Sequence, residues 1–293
     1  MNLYSTSSIA KSIAQEIESI LYGVGLLFRV FYRSKQNKSV ADKISRNPGK
    51  YSKGKKLIQD VIGIRIALYF PDDVDLVVTL LKSHFNNIEI VKDAPDVFSF
   101  GPSRLNMVFS IPTEYDTSLS NYYNTDCIDN TFEVQVRTIL SEGWHEVEHD
   151  LRYKCKNDWE SFDNLSRMLN GVLASLETSE WTMVKIFESL AWQHYKLKQW
   201  ESMLRNKFRL NFQGSHLSEE LINLLNTKQE LAKQLFRSNR QFVLLKIHAQ
   251  THNLPITMDN ICHLTNFFEI FSEELMELMP DALHRLLLGN EAP

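Results

Sequence analysis

The chain has 293 residues, 43% of them hydrophobic and 23% charged, an ordinary globular composition with length for one large domain or two smaller ones. A net charge of −4 and a pI near 6.2 exclude a protein that coats nucleic acid by bulk positive charge, although a local basic patch can still hold phosphates. The three cysteines, Cys127, Cys155 and Cys262, are far apart and in no metal-ligand spacing, so neither a disulfide framework nor a cysteine zinc site is expected, and a reducing cytoplasm suits them.

Ile9, Ile13, Ile17, Ile20, Leu21 and Val24 recur at a helical period, which predicts a lead helix from Ser8 to Tyr32 capped by Ser7 or Ser8. The apolar run from Ile20 to Phe28 is flanked by Glu16, Glu18, Arg29 and Arg33 and is too short to span a bilayer. It reads as the buried face of that helix, and no membrane association is expected. Cations then accumulate from Arg29 to Lys56, among them Arg33, Lys35, Lys38, Lys43, Arg46 and Lys50, broken by the turn signal Asn47-Pro48-Gly49. Ser39 suits the cap of a helix running to Arg46, and a helix start beside several cations can cradle polyphosphate. A solvated basic face gives the same pattern.

The next part alternates in type. Val61 to Phe70 reads as a strand, Asp72 to Phe85 as a helix, Ile88 to Val91 as a short strand, Val97 to Ile111 as one or two strands, and Thr131 to Val136 as a strand. Pro112 to Asp129 is a polar loop. After Thr138 the apolar periodicity is helical throughout, over Ile139 to Leu151, Leu165 to Leu190, Leu217 to Leu235 and Leu264 to Leu288. The expected fold class is therefore α+β: a mixed β-sheet flanked by helices, with an all-helical C-terminal extension. A composition shift near Asn157 divides the chain into domains 1–156 and 157–293.

Three constellations could carry chemistry besides the basic segment. Asp60 stands at the mouth of the first long strand, and Arg65 is the one charge inside that strand's buried-looking run, where it needs an anionic or stacking partner, whether a ligand, Asp60 or a neighbouring Glu. Glu133, Gln135 and Arg137 alternate with apolar residues and share one face of a strand, as in a site or in a sheet with one wet face. His145-Glu146-Val147-Glu148-His149 has the form of a zinc-hydrolase helix, with His145, His149 and Tyr153 on one stripe, but no third ligand at a recognisable spacing.

In this order the segments resemble the synthetase domain of the RelA/SpoT family, particularly its small single-domain members, over roughly Phe28 to Lys154. The carriers are Arg33, Lys35, Ser39, Lys43 and Arg46, then Asp60 and Arg65, then Glu133-x-Gln135-x-Arg137-Thr138, then Trp144, His149, Tyr153 and Lys154. The resemblance implies a nucleotidyltransferase-like synthetase domain that moves a pyrophosphate from ATP to a ribose 3′-hydroxyl. It implies that Arg33, Lys35, Ser39, Lys43, Arg46 and Arg65 bind ATP, with Arg65 closing on the adenine opposite Arg33. Asp60 and Glu133 would hold Mg²⁺, Glu133 would also activate the acceptor hydroxyl, and Gln135 would orient nearby groups. Under the resemblance His149 is structural rather than a metal ligand.

The departure lies at the acceptor. Small synthetases that make guanosine alarmones carry Gly-Tyr-x-Ser-x-His, whereas this chain has Gly101-Pro102-Ser103-Arg104-Leu105-Asn106, and Glu142 occupies a helix position where a guanine-contacting amide is usual. Proline offers no stacking platform. Gly101, Ser103, Arg104, Asn106, Arg137 and Glu142 are the expected acceptor-binding residues, and Phe98, Phe100, Tyr122 or Tyr123 could supply a platform. The acceptor is then a guanosine nucleotide, as in the stringent response, or a tRNA 3′ end or adenosine nucleotide, as in toxic members of the family. The chain reads as lacking the hydrolase and regulatory domains of long members, which suits a cytoplasmic toxin with an antitoxin, or a homo-oligomer. A catalytically idle nucleotide-binding module is the alternative from another class.

Overall fold

The structure is a computed structural model that describes residues 5–35, 37–46, 48–52, 57–93, 105–115, 127–214, 216–250 and 254–289. It comprises two compact units, one of Met1–Glu18 with Phe28–Glu180 and one of Ser19–Leu27 with Trp181–Pro293.

The first unit is built on a five-stranded sheet: β1 (Phe28–Ser34), β2 (Ile62–Leu68), β3 (Asn87–Lys92), β4 (Leu105–Ser110) and β5 (Thr131–Thr138), in spatial order β1-β2-β5-β4-β3. Only β2 and β5 pair in parallel; the other pairs are antiparallel, so the sheet is mixed as expected. Period-2 alternation puts Ile62, Ile64, Ile66, Phe132, Val134, Val136, Met107 and Phe109 on one face, all buried. On that side helix α3 (Val74–His84) packs against β5, and Phe85, Phe109 and Phe132 cluster with ring centroids 5.3 to 5.6 Å apart. Burying such aromatic pairs adds ~0.5–1.5 kcal/mol each beyond the area removed from water.

The opposite face carries the polar half of the alternation. Across β1, β2, β5 and β4 one row reads Phe31, Arg65, Gln135, Asn106 and the next reads Arg33, Gly63, Glu133, Val108. Helix α4 (Ile139–Glu148) lies on this side against β2 and β5. Thr138 ends β5 and begins α4 through a reciprocal capping box with Ser141, so the last strand leads straight into the helix that covers it. Glu180 reinforces this start, accepting from the Thr138 hydroxyl and from the Ser141 amide at 3.3 Å.

Two sequence expectations are corrected near the N-terminus. The lead helix, α1, spans Thr6–Gly23 and stops well short of Tyr32, because Gly25 turns the chain at φ +73° and Phe28 onward forms a strand. Its start is capped by Ser5, whose hydroxyl accepts from the Ser8 amide at 3.1 Å, rather than by Ser7 or Ser8. Likewise α2 covers Asn37–Ser45, so Ser39 sits inside the helix and not at its cap.

The second unit is helical: the C-terminal part of α5 (Asp163–Lys196), then α6 (Trp200–Phe208), α7 (Glu219–Thr227), α8 (Gln229–Arg237), α9 (Arg240–His248), α10 (Met258–Thr265), α11 (Glu273–Glu277) and α12 (Asp281–Leu288). The periodicity from Leu217 to Leu235 resolves into α7 and α8, broken at Lys228. Its core includes Phe208, Leu204, Leu225, Leu235, Leu244 and Ile261, all fully buried. Gly25 belongs to this unit: its carbonyl accepts from the Asn211 amide at 2.8 Å, and a Cβ there would meet Ile256 at 2.9 Å. No helix among the described residues is long and apolar enough to cross a membrane.

Candidate active site

A cleft of about 290 Å³ opens on the polar face of the sheet, lined by residues of β1, β2 and β5 and by Glu146, His149, Asp150 and Lys154. Two clusters of charged groups adjoin it through Glu133 and Arg65.

The first surrounds Asp60, just before β2. Lys35, which leaves the end of β1 with its amide bonded to the Val61 carbonyl at 2.8 Å, and Lys43 of α2 both donate to the Asp60 carboxylate, Lys43 at 2.8 Å. Burial would raise the Asp60 carboxyl, but the two ammonium groups outweigh it and hold it below the usual carboxylate range. Burial also pulls both lysines down. At Lys43 the pairing with Asp60 wins and its basicity is raised, whereas at Lys35 burial and the neighbouring Lys43 charge leave it lowered. One carboxylate between two cations leaves excess positive charge here, as an incoming polyphosphate requires.

Glu133, on β5, is half-buried beside this cluster, and desolvation first and the Asp60 charge second push its carboxyl above the ordinary glutamate value. Asn106 on β4 donates to it at 2.6 Å. A raised carboxyl that still accepts a hydrogen bond and opens on a cleft is suited to take a proton. Asp60 and Glu133 also offer two hard oxygen ligands in one field, and the cost of their proximity is what a divalent cation relieves. Among the described residues no group of three or more His, Cys, Asp or Glu converges on a metal position. Two carboxylates nonetheless fit Mg²⁺, which takes one or two from protein and the rest of its shell from water and phosphate.

The second cluster ties the sheet to α4. Arg65 donates from Nη1 to Glu142 at 2.5 Å and to Glu146, and Arg137 donates to the other Glu142 oxygen at 2.9 Å and to Gln135 at 3.3 Å. Arg65 thus takes its carboxylates from α4 and not from Asp60. Glu142 is buried with both oxygens accepting from arginines, so it bridges Arg65 to Arg137. The Arg65 guanidinium is held at Nη1, which leaves its plane as a surface it can present.

The zinc-like segment separates. His145 is buried, and burial with the nearby Arg137 and Arg65 lowers it to about 4, so it is neutral at physiological pH. At His149 the helix widens into a π-turn (His149–Tyr153), and His149 lies exposed, stacked on Tyr153 at 5.8 Å and bonded to Asp150 at 2.9 Å. The expected common stripe for His145, His149 and Tyr153 is lost at that turn. Trp144 anchors α4 from behind, donating to the Leu169 carbonyl at 2.8 Å.

Of the residues singled out from sequence, Arg33, Arg65, Glu133 and Gln135 line the cleft, while Asp60 pairs with Lys35 and Lys43, Asn106 with Glu133, and Arg137 with Glu142 and Gln135 beside it. Arg46 lies exposed at the end of α2 and is not among the residues lining the cleft. Gly101, Ser103 and Arg104, with Phe98, Phe100, Tyr122 and Tyr123, fall outside the described residues, as does the Ser39 side chain. Sequence reasoning did not assign Phe31, Tyr32, Gly63, Ile64 or Asp150 to the site, and placed Glu146 only in the zinc-like segment. Reading Phe28 to Ser34 at period 2 instead of 3.6 would have placed Phe31 beside Arg33 on the site face.

Residues 32–158 match the model of a region found in RelA/SpoT proteins. Over these residues, less than half of its length, the chain is similar to the RelA/SpoT family. The RelA/SpoT region contains every element of the cleft except Phe31. The chain is 27% identical over 152 residues to the GTP pyrophosphokinase YwaC of Bacillus subtilis, covering 50% of this chain and 68% of that protein. Among solved structures it is similar to small alarmone synthetase 2 of Bacillus subtilis, at 22% identity over 60% of this chain and 86% of that one with a TM-score of 0.43. It is also similar to a GTP pyrophosphokinase family protein of Streptococcus pneumoniae, at 18% over 62% and 88% with a TM-score of 0.48.

Proposed function

We propose that the protein is an ATP-dependent pyrophosphokinase, transferring the β,γ-pyrophosphate of ATP to a ribose 3′-hydroxyl. The observation that carries this is the juxtaposition, inside the RelA/SpoT region, of a raised Glu133 with the Lys35–Asp60–Lys43 cluster on one face of the sheet. The relative from Bacillus subtilis bears the name of a GTP pyrophosphokinase, which supports the reaction class.

Arg33, Lys35 and Lys43 would bind the triphosphate, and Arg65 with Arg33 the adenine. Asp60 and Glu133 would hold Mg²⁺, which when bound offsets phosphate charge. Glu133 takes the proton of the acceptor 3′-hydroxyl; the new bond forms between that oxygen and the β-phosphorus, the bond from the β-phosphorus to the α,β-bridging oxygen breaks, and AMP leaves with its charge met by the lysines. Arg137, with Gln135, would face the acceptor, while Glu142 orients both arginines. We assign this chemistry to residues 1–156 and regard 157–293 as an extension.

The test is incubation with β-labelled ATP and Mg²⁺ and, separately, GDP, GTP, adenosine nucleotides and tRNA. One labelled product with stoichiometric AMP is expected, and its identity names the acceptor among guanosine nucleotide, adenosine nucleotide and tRNA 3′ end. Absence of AMP release with every acceptor would overturn the proposal in favour of an idle nucleotide-binding module.

A further inference from the structure

Phe31 is out of keeping with its surroundings. It lies on the edge strand β1, is 53% exposed, and helps to line a cleft whose other walls are mostly charged or polar. Its ring faces away from the core, since the buried residues of the neighbouring strands belong to the other face. In register it stands opposite Arg65, so the two side chains leave the same face about 5 Å apart. Arg65 is held at Nη1 by Glu142 and Glu146. One row away Gly63 has no side chain, and the Arg33 side chain passes over it, with Nε 3.5 Å from where a Cβ would be. The result is an apolar ring and a planar guanidinium held by carboxylates, beside one another in the lining of the cleft.

Each of these favours a flat, partly apolar ligand. An exposed phenylalanine gains nothing from water, whereas covering it with a base recovers both apolar area and ring stacking. A guanidinium held through Nη1 by two carboxylates has its charge met and is better suited to stack than to capture phosphate. We propose that Phe31 is a nucleobase-binding residue, forming with the Arg65 plane the wall against which the purine of the donor nucleotide stacks. This rests on the nucleotide-binding reading above and adds a residue outside the matched region.

Binding is measured by calorimetry on the full chain with two probes, α,β-methylene-ATP and inorganic tripolyphosphate, which has the charge without the base. Loss of one stacking platform corresponds to ~1–3 kcal/mol, or roughly 5- to 150-fold. Phe31→Ala should weaken the ATP analogue by about that factor and leave tripolyphosphate within about twofold, and Phe31→Trp should restore the analogue. Phe31→Leu keeps an apolar strand residue without a ring and should behave as the alanine variant does, which covers the case in which Phe31→Ala fails to fold. Equal weakening of both probes, or an analogue affinity unchanged in Phe31→Leu, overturns the proposal while leaving the pyrophosphokinase reading intact. A wild-type chain that binds neither probe and releases no AMP overturns both.

Discussion

In the proposed reaction Glu133 is the residue on which the chemistry turns, and its environment fixes the sign of its pH behaviour. Burial and the charge of Asp60 raise its carboxyl above the ordinary 4.5. As the base, it must be ionised, so transfer should climb with pH through an apparent value above 4.5 in rate profiles of the wild type. Glu133→Gln should lower the rate by about 10²-fold or more and flatten that limb, with a smaller effect on ATP-analogue affinity. Stability runs the other way. A carboxyl raised in the folded state contributes stability below its unfolded value and loses it as pH rises through the folded one. At pH 7, therefore, Glu133→Gln should melt at a higher temperature than wild type, with the gap closing near pH 4. A mutant that is inactive yet no more stable at pH 7 would contradict the burial argument.

Among the elements, α4 has the double task of covering the sheet and setting Arg65 and Arg137 through Glu142. It is held from behind by Trp144, which is 4% exposed, donates to Leu169 and lies under the Arg152 guanidinium at 5.5 Å. Truncating so large a buried side chain costs about 3–5 kcal/mol, and Trp144→Ala should show that loss in urea denaturation. Trp144→Phe retains most of the volume but leaves the Leu169 carbonyl without its indole donor, for about 1–3 kcal/mol. Thr138→Ala, which removes the capping side chain at the other end of α4, should cost about 1 kcal/mol. The strand β5 and this helix form one continuous device, and their junction at Thr138 lies in the sequence where the period changes from 2 to 3.6.

On the scale of the whole molecule, a net charge of −4 coexists with a cationic cluster at Lys35, Lys43 and Arg33. Under the proposed function nucleotide capture is a local field effect, and raising salt from 50 to 500 mM should weaken tripolyphosphate strongly and α,β-methylene-ATP less, since stacking is not screened. Similar salt slopes for the two probes would argue against a base contribution.

The sequence by itself determined the sheet and which polar groups share its open face, because a strand with one wet face writes its period into the chain: Glu133, Gln135 and Arg137 alternate with Phe132, Val134 and Val136 whatever else the fold does. Helical periodicity after Thr138 was equally legible. What it could not determine was pairing between groups distant in the chain. Arg65 meets Glu142 and Glu146, 77 and 81 residues on, and Asp60 meets Lys35 and Lys43. Local patterning is also ambiguous where a short apolar run suits either period, which is how Phe31 was assigned to a helix. Only the tertiary structure turns that segment at Gly25, pairs it with β2, and puts its ring beside Arg65, because strand register is set by partners that no local window contains.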